Sequence, residues 1–281
     1  MNYRHGFHAG NFADVFKHAL LARLLVYLSR KETPFRVIDT HAGEGAYDLS
    51  SDEAQRTAEW RGGVGRLAAP SDASEAVREL LAPYLAGLGP LDPEGRPALY
   101  PGSPTIVQKL MRPQDRAIFC ELRPDAFAAL HRRFARDARI RTIHIDGYMG
   151  LGAYAPPKER RGLVLIDPPF EREDEFDAAF DAFTKAHAKW SSGIYALWHP
   201  SKSDHQVRKF YNRLTGSGIR RILRLSLSVG GGEEGLRSCG MVVVNPPFVF
   251  EQEATAILAF LAERLAQGVD AGAQAVWLAG E

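Results

Sequence analysis

Much is missing from this sequence, and each gap narrows the possibilities. Only two cysteines, Cys120 and Cys239, occur in 281 residues, both within strand-like runs. That excludes a disulfide scaffold and predicts two buried free thiols. The histidines have no cysteine partners at ligand spacing, so no metal is expected. No stretch of about 18 uncharged apolar residues is present, so no membrane-spanning helix is expected. The N-terminus lacks an apolar targeting segment, which together with the reduced thiols gives a cytoplasmic expectation. Net charge is only +1, which argues against a surface uniformly adapted to nucleic acid. No internal repeat, linker or low-complexity segment breaks the chain, so one large domain, or one domain with an insertion, is expected.

What is present is a regular alternation. Strand-like runs at 35–40, 117–121, 141–145, 163–167 and 194–198 alternate with helical ones, which predicts an α/β fold with a mostly parallel sheet. Asn11 is a good cap for a first helix whose apolar stripe includes Phe12, Val15, Phe16, Ala19, Leu20, Leu24 and Leu28. Pro124 opens another helix, and Phe176, Phe180 and Phe183 mark a third over 173–190. The connection 147–161 is short and proline-interrupted, so any helix in it is brief. The alternation fails once, between Leu49 and Tyr100. There Asp72 and Glu75 suggest a capping box, and no strand is convincing. Residues 49–100 are therefore read as a small helical insertion, with 1–48 and 101–281 forming the core. Ser103 and Pro104 then read as the cap and first turn of a new helix. The runs 222–229 and 241–245, joined by a glycine-rich turn, predict an antiparallel pair, and a last helix and the run 275–278 follow.

Two segments carry chemistry. Asp167-Pro168-Pro169-Phe170 ends the fourth strand-like run. Its prolines lock φ and remove two backbone donors, so the segment can neither continue a ladder nor enter a helix normally. It can present a carboxylate and a free carbonyl as converging acceptors beside an aromatic face, an arrangement suited to a planar substrate bearing an amine. Asp39-Thr40-His41-Ala42-Gly43-Glu44-Gly45 follows the first strand. Ligands in open parallel sheets bind beyond the carboxyl ends of the strands, yet the nicotinamide fingerprint Gly-x-Gly-x-x-Gly is absent here. Glu121 and Asp146-Gly147 end the next two strands, where a carboxylate can accept from ribose hydroxyls or an adenine amine. Together these read as an S-adenosylmethionine-dependent methyltransferase acting on an exocyclic amine.

Asn245-Pro246-Pro247-Phe248 imitates the first segment, and the glycine run 230–235 imitates a cofactor loop. No helix follows that run, so it offers no helix N-terminus to an anion. A strand at 241–245 antiparallel to its neighbours would point its end to the opposite rim. The second tetrapeptide is thus expected to be structural. The first 18 residues crowd polar groups, with Tyr3, Arg4 and His5 within reach of a substrate. Asp14, Lys17 and His18 lie on one helix face, from which Lys17 or His18 could meet a cofactor carboxylate. Positive charge gathers in three sets, around 132–141, 158–161 and 208–224, a pattern shared by solvated helix faces and by phosphate contacts.

Residues 3–11 (Tyr-Arg-His-Gly-Phe-His-Ala-Gly-Asn), 14–18 (Asp-Val-Phe-Lys-His), 39–43, 100–104 (Tyr-Pro-Gly-Ser-Pro) and 166–169 together resemble the RlmJ family of bacterial 23S ribosomal RNA adenine-N6 methyltransferases. Residues 194–198 and 238–241 extend the likeness over nearly the whole chain. The resemblance implies a Rossmann-like class I methyltransferase sheet with a small helical insertion, with S-adenosylmethionine as cofactor and 23S rRNA as partner. His18, His41, Gly43, Ser103, Glu121, Asp146, Gly147 and Asp167 would then line the cofactor site. Asp167, Pro168 and Phe170 would handle the target base and Tyr3 would contact RNA, with Arg4, His5 and Lys17 as further substrate-RNA candidates from their position beside it. Nothing in the sequence requires more than a monomer. One departure stands out: Phe170 occupies the family's usual tyrosine position, and phenylalanine there also occurs in guanine-N2 enzymes. A guanine-N2 or DNA adenine-N6 methyltransferase therefore remains an alternative, as does a non-catalytic rRNA-binding module.

Overall fold

The computed structural model describes residues 3–67, 73–232 and 235–280. An eight-stranded sheet with helices on both faces forms its centre. The strands are β1 (Arg36–Asp39), β4 (Arg116–Glu121), β5 (Ile140–His144), β6 (Gly162–Ile166), β7 (Ile194–Pro200), β8 (Ile222–Ser228), β9 (Ser238–Val244) and β10 (Gly272–Ala279). A separate short pair, β2 (Ala46–Tyr47) and β3 (Tyr100–Pro101), is antiparallel. Across the sheet the order is β10-β8-β9-β7-β6-β1-β4-β5. β1 pairs in parallel with β4 on one side and β6 on the other, whereas β9 runs antiparallel to both β7 and β8. The order of winding therefore reverses between β1 and β6, which opens the crevice where such sheets bind ligands. This is the Rossmann-like class I arrangement expected from the sequence.

Strand periodicity explains the two-sided core. Leu163 and Leu165 of β6 join one apolar cluster, while Val164 and Ile166 join the other. The first face is covered by α1 (Phe12–Ser29), α4 (Ser103–Leu110) and α9 (Phe250–Arg264); α6 (Gly147–Tyr154), α7 (Glu175–Lys189) and α8 (Asp204–Thr215) cover the second. Helix α5 (Pro124–Phe134) packs beside β5. Asn11 caps α1 as expected, its side chain accepting from Asp14 N at 3.0 Å. The helix is not half-exposed, however. It is buried on nearly all sides, Asp14, Lys17, His18 and Arg23 included, because α3 (Glu75–Leu88), α4, α9 and the sheet surround it. Four polar side chains in such a position must find partners.

The stretch between β2 and β3 holds α2 (Asp52–Thr57), two 3-10 turns (Glu59–Gly62 and Val64–Leu67) and α3. Trp60, Val64, Leu81, Tyr84 and Tyr100 share one apolar cluster with α1. Two details differ from expectation. Ser74 caps α3, accepting from Val77 N, while Asp72 of the expected capping box lies outside the described residues. Ser103 is the first residue of α4 and makes no cap; Gly102 precedes it with extended backbone. The Ser103 hydroxyl is instead drawn to a buried carboxylate behind it.

Candidate active site

The crevice holds a cavity of about 470 Å³ whose lining brings together the loop after β1, the ends of β4, β5 and β6, and the N-terminal segment. Its shape follows from close approaches that only glycine permits. Gly43 has φ +60°, and a Cβ there would stand 2.2 Å from Tyr47 Oη. A Cβ on Gly147 would stand 2.1 Å from the Thr40 carbonyl, so the start of α6 presses against the end of β1.

Glu121, at the end of β4, is oriented by backbone donors: Gly43 N reaches Oε2 at 2.8 Å and Arg123 N reaches Oε1 at 2.7 Å. The β5 end works similarly, with Asp146 Oδ1 accepting from Tyr148 N and Met149 N at 3.0 Å as the N-cap of α6. Asp39 behaves differently. It is fully buried, does not line the cavity, and accepts from Ser103 Oγ at 2.6 Å. Burial pushes its carboxyl up to about 7 despite that hydrogen bond. Its task is to hold Ser103 and the His41 backbone from behind.

His41 and His18 are neutral. Burial lowers them to about 4 and about 3. The Thr40 hydroxyl donates to Leu165 O at 3.0 Å, so its contact with His41 Nδ1 at 2.7 Å must run from the ring N–H to the hydroxyl oxygen. His41 Nε2 is thereby fixed as an acceptor. The Nδ1 of His18 meets Tyr100 Oη at 2.9 Å, and Tyr100 meets Tyr84 at 3.2 Å, forming a buried polar chain.

At the end of β6, Asp167, Pro168, Pro169 and Phe170 all line the cavity. Lys17 pairs with Asp167 Oδ2 at 2.6 Å and with Asp14 Oδ1 at 2.9 Å. Burial opposes a charged lysine, but these two carboxylates hold its pKa well above the ordinary value. Burial likewise opposes ionisation of Asp14, and His5 and Lys17 outweigh it, holding Asp14 well below the usual range. His5 Nε2 lies 2.9 Å from Asp14 Oδ2, while Tyr3 Oη lies 2.7 Å from His5 Nδ1. Asp14 Oδ2 thus accepts from one ring nitrogen of His5, and the Tyr3 hydroxyl meets the other. A single network thus runs from Tyr3 through His5, Asp14 and Lys17 to Asp167, leaving Asp167 Oδ1 outside the ion pair. The Pro168 carbonyl accepts no hydrogen bond among the described residues. Phe170 sits at φ +49°, a costly conformation for an aromatic residue. Its ring is packed by Phe176 at 4.7 Å and Trp198 at 6.0 Å.

The cavity lining therefore gathers every site residue expected from the sequence except Arg4. Arg4 is exposed and pairs with Glu53 of α2 at 2.9 Å. Lys17, expected on RNA, is buried between two carboxylates, a position that orients Asp167 and offers nothing to a phosphate. Sequence reading passed over Trp198, Tyr148, Tyr47, Glu59 and Lys202, which also line the cavity. Trp198 had a signal: it lies near the end of β7, as the other site residues lie at the ends of theirs. The second tetrapeptide falls where expected, after the antiparallel β9, and none of its residues reaches the cavity. Among the described residues no helix is long and apolar enough to cross a membrane, and no cluster of potential metal ligands occurs.

Residues 32–279 match the family model described as ribosomal RNA large subunit methyltransferase D, RlmJ. The chain is 39% identical over 268 residues to the ribosomal RNA large subunit methyltransferase J of Haemophilus influenzae, covering 94% of each. It is 36% identical to the Escherichia coli protein of the same name, covering all of both. A crystal structure of a Legionella pneumophila protein superposes with a TM-score of 0.87 at 31% identity, covering 96% of this chain and 98% of that one. With its whole length aligned to named relatives and the cavity residues in place, the chain belongs to the RlmJ family of ribosomal RNA large subunit methyltransferases.

Proposed function

We propose that the chain transfers a methyl group from S-adenosylmethionine to the exocyclic N6 amine of an adenine in 23S rRNA. The observation that carries this reading is the common cavity: Asp167 and Pro168 line the same space as the glycine bend at Gly43, at the reversal of strand order. S-adenosylmethionine, when bound, supplies a methyl group already activated by its sulfonium. The residues fit that molecule. Glu121 faces the cavity with both oxygens steadied by backbone donors, suited to two ribose hydroxyls. Asp146 suits an adenine amine, and the fixed acceptor Nε2 of His41, with His18 and Ser103, suits the amino-acid end.

The protein's own work is orientation. An N6 amine donating to Asp167 Oδ1 and the Pro168 carbonyl turns its lone pair away from the ring and toward the incoming methyl. Lys17 holds Asp167 in direction through Oδ2, so Asp167 offers Oδ1 as an acceptor before transfer. After methylation the nitrogen is acidic, and its proton leaves to Asp167 or to water. Phe170, backed by Phe176 and Trp198, offers a stacking face to a base that has left its helix or loop. Transfer of tritium to deproteinised rRNA, followed by digestion to nucleosides, tests the reading. Label in N6-methyladenosine of the large-subunit RNA is expected. Label in N2-methylguanosine, or transfer to DNA alone, would contradict it; binding without any transfer would leave only an RNA-binding module.

A further inference from the structure

A nucleotide cannot enter a cavity alone, because the phosphodiesters on either side of its ribose come with it. Most cations lining this cavity are already engaged: Lys17 with Asp14 and Asp167, Arg123 with Asp125, Arg172 with Asp174. Lys202 makes no ion pair or hydrogen bond among the described residues, although it lines the same cavity. It follows the end of β7, where Ser201 N bonds to Ser238 O, so the loops before β9 and after β7 are joined at its base. His8 lines the same cavity. His8 stacks on Tyr3, with ring centroids 5.6 Å apart and planes 11° from parallel, and Glu59 holds its Nδ1 at 3.0 Å. A half-exposed, doubly steadied ring and an ammonium unpaired among the described residues, lining one cavity, are the chemistry of a nucleotide subsite.

We propose that His8, Pro200, Lys202 and Leu236 form a second subsite that takes the nucleotide adjoining the target, with Lys202 on the phosphodiester between the two and His8 stacking on the neighbouring base. This rests on the RNA methyltransferase reading above and adds a flanking-nucleotide requirement to it. Lys202 is a binding residue in this scheme and His8 a stacking platform, while the acceptor pair is untouched.

The test uses the full chain and a short 23S rRNA fragment spanning the labelled nucleotide, with Lys31→Ala at the far rim of the sheet as a charge control. Lys202→Ala should raise KM for RNA about tenfold with kcat within about twofold, and Lys202→Arg should restore most of the loss. The dependence of log KM on log salt should become shallower by about 0.7. A neutral methylphosphonate at one linkage next to the target should reproduce the rise in wild type and add nothing in Lys202→Ala. His8→Ala should cost about tenfold in kcat/KM and His8→Phe, which keeps a ring, far less. Lys202→Ala behaving like Lys31→Ala, or the lysine and linkage penalties multiplying, would overturn the phosphate contact. His8→Phe as poor as His8→Ala would overturn the stacking. Failure of wild type to methylate any rRNA fragment, seen before a variant is compared, would overturn the underlying reading and the subsite with it.

Discussion

Two tetrapeptides of nearly the same composition, Asp167-Pro-Pro-Phe170 and Asn245-Pro-Pro-Phe248, sit in one sheet and do opposite things. The first follows β6, parallel to β1, so it emerges on the rim where the loop of Gly43 turns. The second follows β9, antiparallel to β7, and emerges on the other rim. In the first, the acidic residue faces a cavity and the aromatic is the residue held at positive φ, packed by Phe176 and Trp198. In the second, Asn245 takes the positive φ, a conformation asparagine tolerates well, and its amide donates to the Ser191 and Gly193 carbonyls at 2.7 and 2.8 Å. Phe248 is 94% exposed. The same letters are a site in one place and a turn in the other, because strand direction decides which rim they reach and which neighbours await them.

Substitutions that treat the two alike should break the comparison most sharply. Asp167→Ala is expected to lower single-turnover transfer about a thousandfold while cofactor binding, followed by calorimetry, stays within a few-fold. Asn245→Ala should keep near-normal transfer yet unfold more easily, by about 1 kcal/mol in a denaturant titration, since the Ser191 and Gly193 carbonyls lose their donor and alanine replaces asparagine at positive φ. A loss of transfer in that variant without loss of fold would give the second segment a role it is denied here. Next in size, Phe170→Ala should lower kcat/KM for RNA by about tenfold to a hundredfold through lost stacking, against no measurable change for Phe248→Ala. A last effect, on stability and not on transfer, concerns the support behind the cofactor loop. Asp39 titrates near 7 in the folded chain and near 4 when unfolded, so the unfolded state sheds its proton first. Relative to Asp39→Asn, wild-type stability should fall as pH rises from about 4 to about 7 and then level off. A difference that does not change across that window would remove Asp39 from its buried, uncharged place.

Much of this was legible before any coordinates. Seven of the eight strands of the main sheet, the brief α6 and the antiparallel 222–245 pair follow from short apolar runs and punctuating glycines and prolines, whereas 275–278 stood out only as an apolar run. The failure of the second tetrapeptide as a site also follows from that pairing. Less was legible where a side chain's partner comes from far along the chain. Ser103 looked like a cap because serine before proline usually is one; its bond to Asp39, 64 positions away, could not be read locally. Lys17 looked like a contact for RNA or for a cofactor carboxylate because a lysine near a helix start is usually exposed. Its burial comes from α3, α4 and α9 closing around α1, and its ion pair with Asp167 spans 150 positions. The same distance hid Trp198 and Lys202, which join the site only through the ordering of β7 beside β6.

A crystal structure of the full chain with S-adenosylhomocysteine bears most directly on the central claim, that the Gly43 bend and Asp167 serve one pocket. The product is expected with its ribose on Glu121 and its sulfur directed at the Asp167–Pro168 edge. Density settled instead on the far rim, by Asn245 or the glycine run at 230–232, would contradict the account.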